Sequence, residues 1–153
     1  MHRKIIPDVI DGRQALCCMG RGATACDAAT TMRERKVGAV MVVEQGHLIG
    51  IVTERDMVFR LVAAGKDPST TLLAEIMTPS PQTLTPDDSA VQALDMMRAG
   101  HYRHLPVLDG TDVIGMVSIR DLYEAIRASL EEDLQSAETL IYGEQYGVAA
   151  RVG

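Results

Sequence analysis

MRERKVGAVMVVEQGHLIGIVTERD, Met32 to Asp56, lies without a gap over MRAGHYRHLPVLDGTDVIGMVSIRD, Met97 to Asp121. The offset is 65 residues, and eight of the 25 aligned positions are identical: Met32, Arg33, Val42, Ile49, Gly50, Val52, Arg55 and Asp56, with their counterparts Met97, Arg98, Val107, Ile114, Gly115, Val117, Arg120 and Asp121. Thr53 with Ser118 and Glu44 with Asp109 are conservative matches. Self-similarity at a fixed offset means one supersecondary unit used twice, each copy needing the other to cover its apolar face.

The unit reads as helix, strand, strand, helix. Cys26 to Arg35 and Ser89 to Arg98 are helical in pattern. Thr85 reads as the N-cap of the second, with Pro86 at the first helical position and Asp87 and Asp88 in the electropositive first turn. Two apolar, β-branched hairpins follow: Ala39–Val43 with Leu48–Val52 across Glu44-Gln45-Gly46-His47, and Leu105–Leu108 with Val113–Val117 across Asp109-Gly110-Thr111-Asp112. Each second strand enters a helix, Glu54 to Ala64 or Ile119 to Leu130, and Leu122, Ile126 and Leu130 form the apolar stripe of the latter. Short extended pieces, Ala15–Met19 and Gln82–Leu84, come before the two units.

The chain divides into a first repeat at 14–65, a polar linker at 66–76 that opens on Lys66-Asp67-Pro68, a second repeat at 77–130, and a C-terminal helix and tail at 131–153, fraying after Tyr142.

At 153 residues and 46% hydrophobic content the chain can bury a core without staples. Its apolar runs fall far short of the roughly 20 residues that span a bilayer, and a soluble, cytoplasmic protein is expected. A formal charge of −6 and the near absence of aromatic platforms argue against nucleic-acid binding. Cys17, Cys18 and Cys26 make neither an even disulfide framework nor a paired metal knuckle, and read as buried small apolar residues in a reducing compartment. His101 and His104 have H-x-x-H spacing without acidic or cysteine partners beside them, so no metal is required.

Gly50-Ile-Val-Thr53-Glu-Arg-Asp56 and Gly115-Met-Val-Ser118-Ile-Arg-Asp121 resemble the G-h-h-[ST]-x-x-D signature, with h apolar, that closes each CBS (cystathionine β-synthase) domain. Met77-Thr78-Pro79, Thr85-Pro86-Asp87 and Arg103-His104-Leu105-Pro106-Val107 resemble further phrases of that family, and the likeness covers roughly Leu16 to Ala128. It implies an α+β fold of two β-α-β-β-α repeats, packed through their sheets with pseudo-two-fold symmetry and separated by up to two ligand clefts. It also implies an adenosine-containing ligand (AMP, ADP, ATP, NAD or S-adenosylmethionine). On the matching positions it puts Asp56 and Asp121 on ribose hydroxyls, Thr53 and Ser118 on phosphate, and Gly38, Ala39, Arg103 and His104 beside adenine. Arg55 and Arg120 offer a bidentate fork to phosphate.

The residue chemistry agrees, since a hydroxyl beside unpaired N–H groups at a helix start is an anion site. A single [ST]-x-x-[DE] would most often be only a capping box. Two copies at one offset, each after a Gly-led strand and each with Arg before Asp, favour the family reading.

Gly20-x-Gly22-x-x-Ala25 followed by Glu44 imitates a dinucleotide-binding fingerprint, but the short turn after Glu44 leaves no room for the crossover that such a unit needs. The expectation is therefore a regulatory nucleotide sensor that is not an enzyme. Its rivals are a ligand-free structural or oligomerisation module and, further off, an NAD-dependent oxidoreductase. The apolar residues Val58, Leu61, Val62, Leu122, Ile126 and Leu130 are expected on outer helical faces that pair two copies into a homodimer, with an unidentified regulated protein as a further partner.

Overall fold

The structure is a computed structural model that describes residues 2–152, with side chains through residue 143. Helix and strand follow the repeat. In the first unit β1 (Cys18–Gly20) leads to α1 (Ala25–Arg35), the hairpin β2 (Ala39–Glu44) and β3 (His47–Thr53), and the short helix α2 (Glu54–Asp56). A four-residue helix α3 (Leu73–Ile76) and β4 (Thr78–Pro79) connect to α4 (Ala90–Gly100), the hairpin β5 (His104–Asp109) and β6 (Asp112–Ser118), and the long helix α5 (Ile119–Val152).

Matching local chemistry explains the matching shapes. Thr24 with Asp27 and Ser89 with Gln92 form capping boxes at the starts of α1 and α4, and both helices end on a left-handed residue, Lys36 (φ 54°) and His101 (φ 56°). Ser89, rather than Thr85, therefore caps α4. Thr85 lies in a turn of its own, donating its N–H to the Asp88 carboxylate at 2.7 Å.

The hairpin turns are also tighter than expected. Glu44 pairs with His47 and Asp109 with Asp112, leaving two-residue loops, and Gln45 and Gly46 both take positive φ as a type I′ turn requires. Each hairpin is bulged at the same place, Val42/Val43 and Val107/Leu108.

β1 pairs parallel with β2, β2 antiparallel with β3, and β3 antiparallel with β4; β5 and β6 form the second sheet, with Leu84 bridging in parallel to Val107. The Gly20-x-Gly22 loop opens a single parallel β1-α1-β2 unit, but β2 turns straight back into β3, without the second crossover to a third parallel strand that a dinucleotide-binding fold needs.

Each lobe has its own core, and each is completed by the segment that precedes the other repeat. Leu73 and Ile76 of α3 are buried with Val40, Val42, Val52 and Leu61 of the first lobe; of the three cysteines expected to be buried, Cys17 joins them, whereas Cys18 and Cys26 are exposed. Ile5, which opens an N-terminal wide turn (Ile5–Val9), and Ile10, just after it, are buried with Leu105, Val107, Val117 and Leu122 of the second. The backbone repeats the exchange: Ala25 donates its N–H to the Thr71 carbonyl, and Ala90 to that of Arg3, both at 2.8 Å.

The motif glycines make the crossings possible. A Cβ on Gly50 would strike the Met77 thioether, and one on Gly115 would lie 2.7 Å from Ile10 Cδ1.

Three helical expectations are corrected. After Asp56 the chain is wound in wide i→i+5 turns over Met57–Val62, Ala63 bonding the Val58 carbonyl and Lys66 that of Leu61, instead of forming a regular helix to Ala64. Leu61 and Leu122 are core residues of their own lobes and belong to no outer face. The backbone of α5 stays helical through Val152, where a tail was expected after Tyr142.

Candidate functional site

Two clefts run between the lobes, and the offset of 65 that relates the repeats relates them as well. The first, about 740 Å³, is lined by Thr53 to Asp56, by Ser80 to Gln82 after β4, and by His101 to Leu105 at the mouth of β5. The second, about 930 Å³, is lined by Ser118 to Asp121, by Ala15 to Cys17 before β1, and by Lys36 to Gly38 at the mouth of β2. Each thus joins the motif of one repeat to the strand entry of the other. Gly38, Glu54, Arg103 and His104 line both and form a shared wall.

Both motifs are capping boxes. Thr53 Oγ1 accepts the Asp56 N–H while Asp56 Oδ2 accepts the Thr53 N–H at 2.9 Å. In the second motif Ser118 Oγ accepts from Asp121 N at 3.2 Å, and Asp121 Oδ2 accepts from Ser118 N at 2.8 Å. The box fixes the two side chains at a helix start. In each repeat the strand-entry carbonyl, of Gly38 or Arg103, accepts the N–H of the residue after the motif hydroxyl, Glu54 (3.1 Å) or Ile119 (2.9 Å).

The structure brings nine of the ten expected residues to cleft walls: Thr53, Arg55 and Asp56 to the first, Ser118, Arg120 and Asp121 to the second, and Gly38, Arg103 and His104 to both. Ala39 is fully buried in β2 and lines neither.

Arg55 reaches across the first cleft, donating to the carbonyl of His101 at 3.2 Å while its guanidinium lies 5.1 Å from the Phe59 ring centroid. Phe59 and Tyr102 line the same cleft, and Tyr102 bonds the Gln82 side chain. Neither aromatic stood out in the sequence, because each lies outside the repeated signature.

The same holds for Arg60, whose Nε sits 3.5 Å from Asp56 Oδ1 and whose Nη1 donates to the Met77 carbonyl at 2.7 Å. Burial pulls the imidazole of His104 below its ordinary pKa; Glu54 and Asp121 pull the other way, and Arg103 adds to the lowering. Among the described residues no cluster of three or more His, Cys, Asp or Glu side chains could hold a metal ion, and no helix is long and apolar enough to cross a membrane.

The CBS domain model matches the chain twice, over residues 18–63 and 73–128. The chain belongs to the CBS domain family. Among curated CBS relatives, the protein CBSX3, mitochondrial, of Arabidopsis thaliana is 35% identical over 125 residues, which are 78% of this chain and 61% of that protein. YhcV of Bacillus subtilis is 36% identical over 118 residues, covering 77% of this chain and 82% of its own. The chain spans only 20% of the Arabidopsis protein CBSCBSPB2, to which it is 39% identical over 110 residues.

A signal-transduction protein with CBS domains from Burkholderia ambifaria superposes with a TM-score of 0.73 at 35% identity, over 77% of this chain and 86% of that one. The CBS protein PAE2072 from Pyrobaculum aerophilum, solved with AMP, superposes with a TM-score of 0.65 at 27% identity, over 71% and 83%. The tandem CBS fold thus agrees with the α+β repeat architecture expected from the motifs, and CBS pairs are regulatory modules.

Proposed function

We propose that this CBS pair is a regulatory module that binds an adenosine-containing nucleotide between its lobes, and that occupancy alters its shape or its hold on a partner. The observation that carries the reading is the duplicated cleft, in which a Ser or Thr hydroxyl, a carboxylate and an arginine recur at one offset against the strand entry of the opposite repeat. The hydroxyl and the helix start suit phosphate, the arginine adds charge, and the carboxylate suits a vicinal diol. A neighbour of the same fold holding AMP supports the ligand class; AMP, ADP, ATP, NAD and S-adenosylmethionine share the recognised adenosine. A second copy of the chain is the partner that fits best, because Val62 after the first motif, and Tyr123 and Leu130 on α5, are exposed apolar side chains on the segments that follow the motifs and line neither cleft.

Thermal denaturation with each of the five ligands tests the proposal. A ligand at 100 times its dissociation constant adds about 2.7 kcal/mol of stability. A melting temperature unmoved by any of them would leave a structural module as the better description.

A further inference from the structure

The two clefts share a plan but not a state. In the first, Asp56 is buried, 7% exposed, and its carboxylate is engaged on both oxygens. Oδ2 accepts from Thr53 N at 2.9 Å and from Thr53 Oγ1 at 3.2 Å, and Oδ1 faces the Thr78 hydroxyl at 3.4 Å and Arg60 Nε at 3.5 Å. The Thr53 hydroxyl spends its proton on Asp56, and Arg60 neutralises the carboxylate.

In the second cleft Asp121 is half-buried, and its Oδ2 accepts from Ser118 N. Among the described residues Oδ1 has no hydrogen-bond partner, no cation pairs with the carboxylate, and the Ser118 O–H donates to nothing. The residue 65 positions after Arg60 is Ala125, and the position that precedes the first repeat as Thr78 precedes the second, 65 before it, is Arg13, which is exposed and lines neither cleft. Neither counterpart therefore occupies Asp121 as Arg60 and Thr78 occupy Asp56.

The local winding explains part of the difference. The chain after Asp56 is coiled in i→i+5 turns, and Arg60 lies on it four residues beyond Asp56, whereas the chain after Asp121 continues as the helix α5.

We infer that the Asp121 cleft is the one that takes the ribose of an adenosine ligand, and that Arg60 stands in for ligand at Asp56, closing the first cleft to a vicinal diol. A diol must donate two hydrogen bonds to carboxylate lone pairs that point into open space. Asp121 offers a free oxygen with a free serine hydroxyl beside it, and Asp56 offers neither. Replacing internal partners on a buried carboxylate with a ligand exchanges bonds without adding any, so the first cleft binds weakly until Arg60 lets go. This inference rests on the proposed ligand class and assigns that class to one cleft.

Calorimetric titration with AMP, and in parallel with ATP, tests it on the full chain. The wild type is expected to take one nucleotide per chain. Asp121→Asn is expected to weaken that site by roughly 10- to 100-fold. Arg60→Met is expected to raise the stoichiometry to two, and the double variant Arg60→Met, Asp56→Asn to return it to one. Should Arg60→Met fold poorly, Arg60→Gln, which keeps an N–H for the Met77 carbonyl, carries the same expectation. Two equivalent sites in the wild type, or unchanged binding in Asp121→Asn, would overturn the assignment. A stoichiometry fixed at one in both Arg60 variants would overturn the role of Arg60. Silence from both nucleotides in every variant would instead contradict the proposed ligand class, and the assignment would fall with it.

Discussion

Gly38 and His104 meet across the lobe boundary: a Cβ built on Gly38 would lie 3.1 Å from His104 Nε2 and 3.0 Å from Glu54 Oε1. This contact forms the wall common to both clefts, so its geometry sets their width. Gly38→Val places two methyl groups against a half-buried imidazole. The expected cost is about 1–3 kcal/mol of overpacking, read as a lower urea midpoint with an unchanged slope. Nucleotide affinity is expected to fall in parallel.

His104 also makes the wall sensitive to acid. Its folded pKa lies below the ordinary value of 6.5, first because burial disfavours the imidazolium and second because of Arg103, against the opposing carboxylates of Glu54 and Asp121. Between the lowered and the ordinary value the unfolded chain binds more protons, so stability rises with pH. This contribution is complete above about 6.5 and is lost as pH falls through the folded value. Thermal denaturation between pH 7 and pH 5 is expected to show a steeper loss for the wild type than for His104→Gln. Parallel curves would remove His104 as the cause.

The exchange of segments makes a stability prediction at a distance from the motifs. Leu73 lies inside the 66–76 stretch read from the sequence as a linker, yet it is fully buried in the first lobe. Leu73→Ala is expected to cost about 2–5 kcal/mol, as for a core leucine. A cost under 0.5 kcal/mol, as for an ordinary surface change, would contradict the packing.

The repeat was legible because its signals are local. Hairpins, motif helices and the signature residues all lie within 25 residues of one another in each copy, and the offset carries one copy's reading to the other. The cap of α4 was legible in principle: Thr24-x-x-Asp27 and Ser89-x-x-Gln92 fall at the same offset, but Thr85-Pro86-Asp87 offered a competing start. What local patterns could not reveal is long-range. Ile5 and Ile10 are too few to announce which lobe they complete, and the burial of Leu61 and Leu122 depends on segments that cross from elsewhere. Arg60 sits at ordinary helical spacing from Asp56, and only the winding of Met57–Val62 and the position of Thr78 reveal how fully that carboxylate is taken.

Assembly follows from the remaining exposed apolar surface. Light scattering at micromolar concentration is expected to give twice the 16.6 kDa chain mass. The mass is expected to fall toward one chain in Val62→Glu, whose side chain is exposed and plays no part in the core. A single-chain mass in the wild type would remove the homodimer.

Methionine methyl NMR tests the central claim, nucleotide between the lobes in the Asp121 cleft, most directly. Met32, Met41, Met57 and Met116 line the Asp121 cleft, none of the methionines among the described residues lines the Asp56 cleft, and Met96 packs partly buried against the second-lobe core, lining neither. On titration with AMP the account predicts that signals of Met32 and Met116 shift and saturate together while that of Met96 holds still. Saturable binding that leaves the four cleft methionines unmoved, or no shift at millimolar AMP, ADP, ATP, NAD and S-adenosylmethionine, would contradict it.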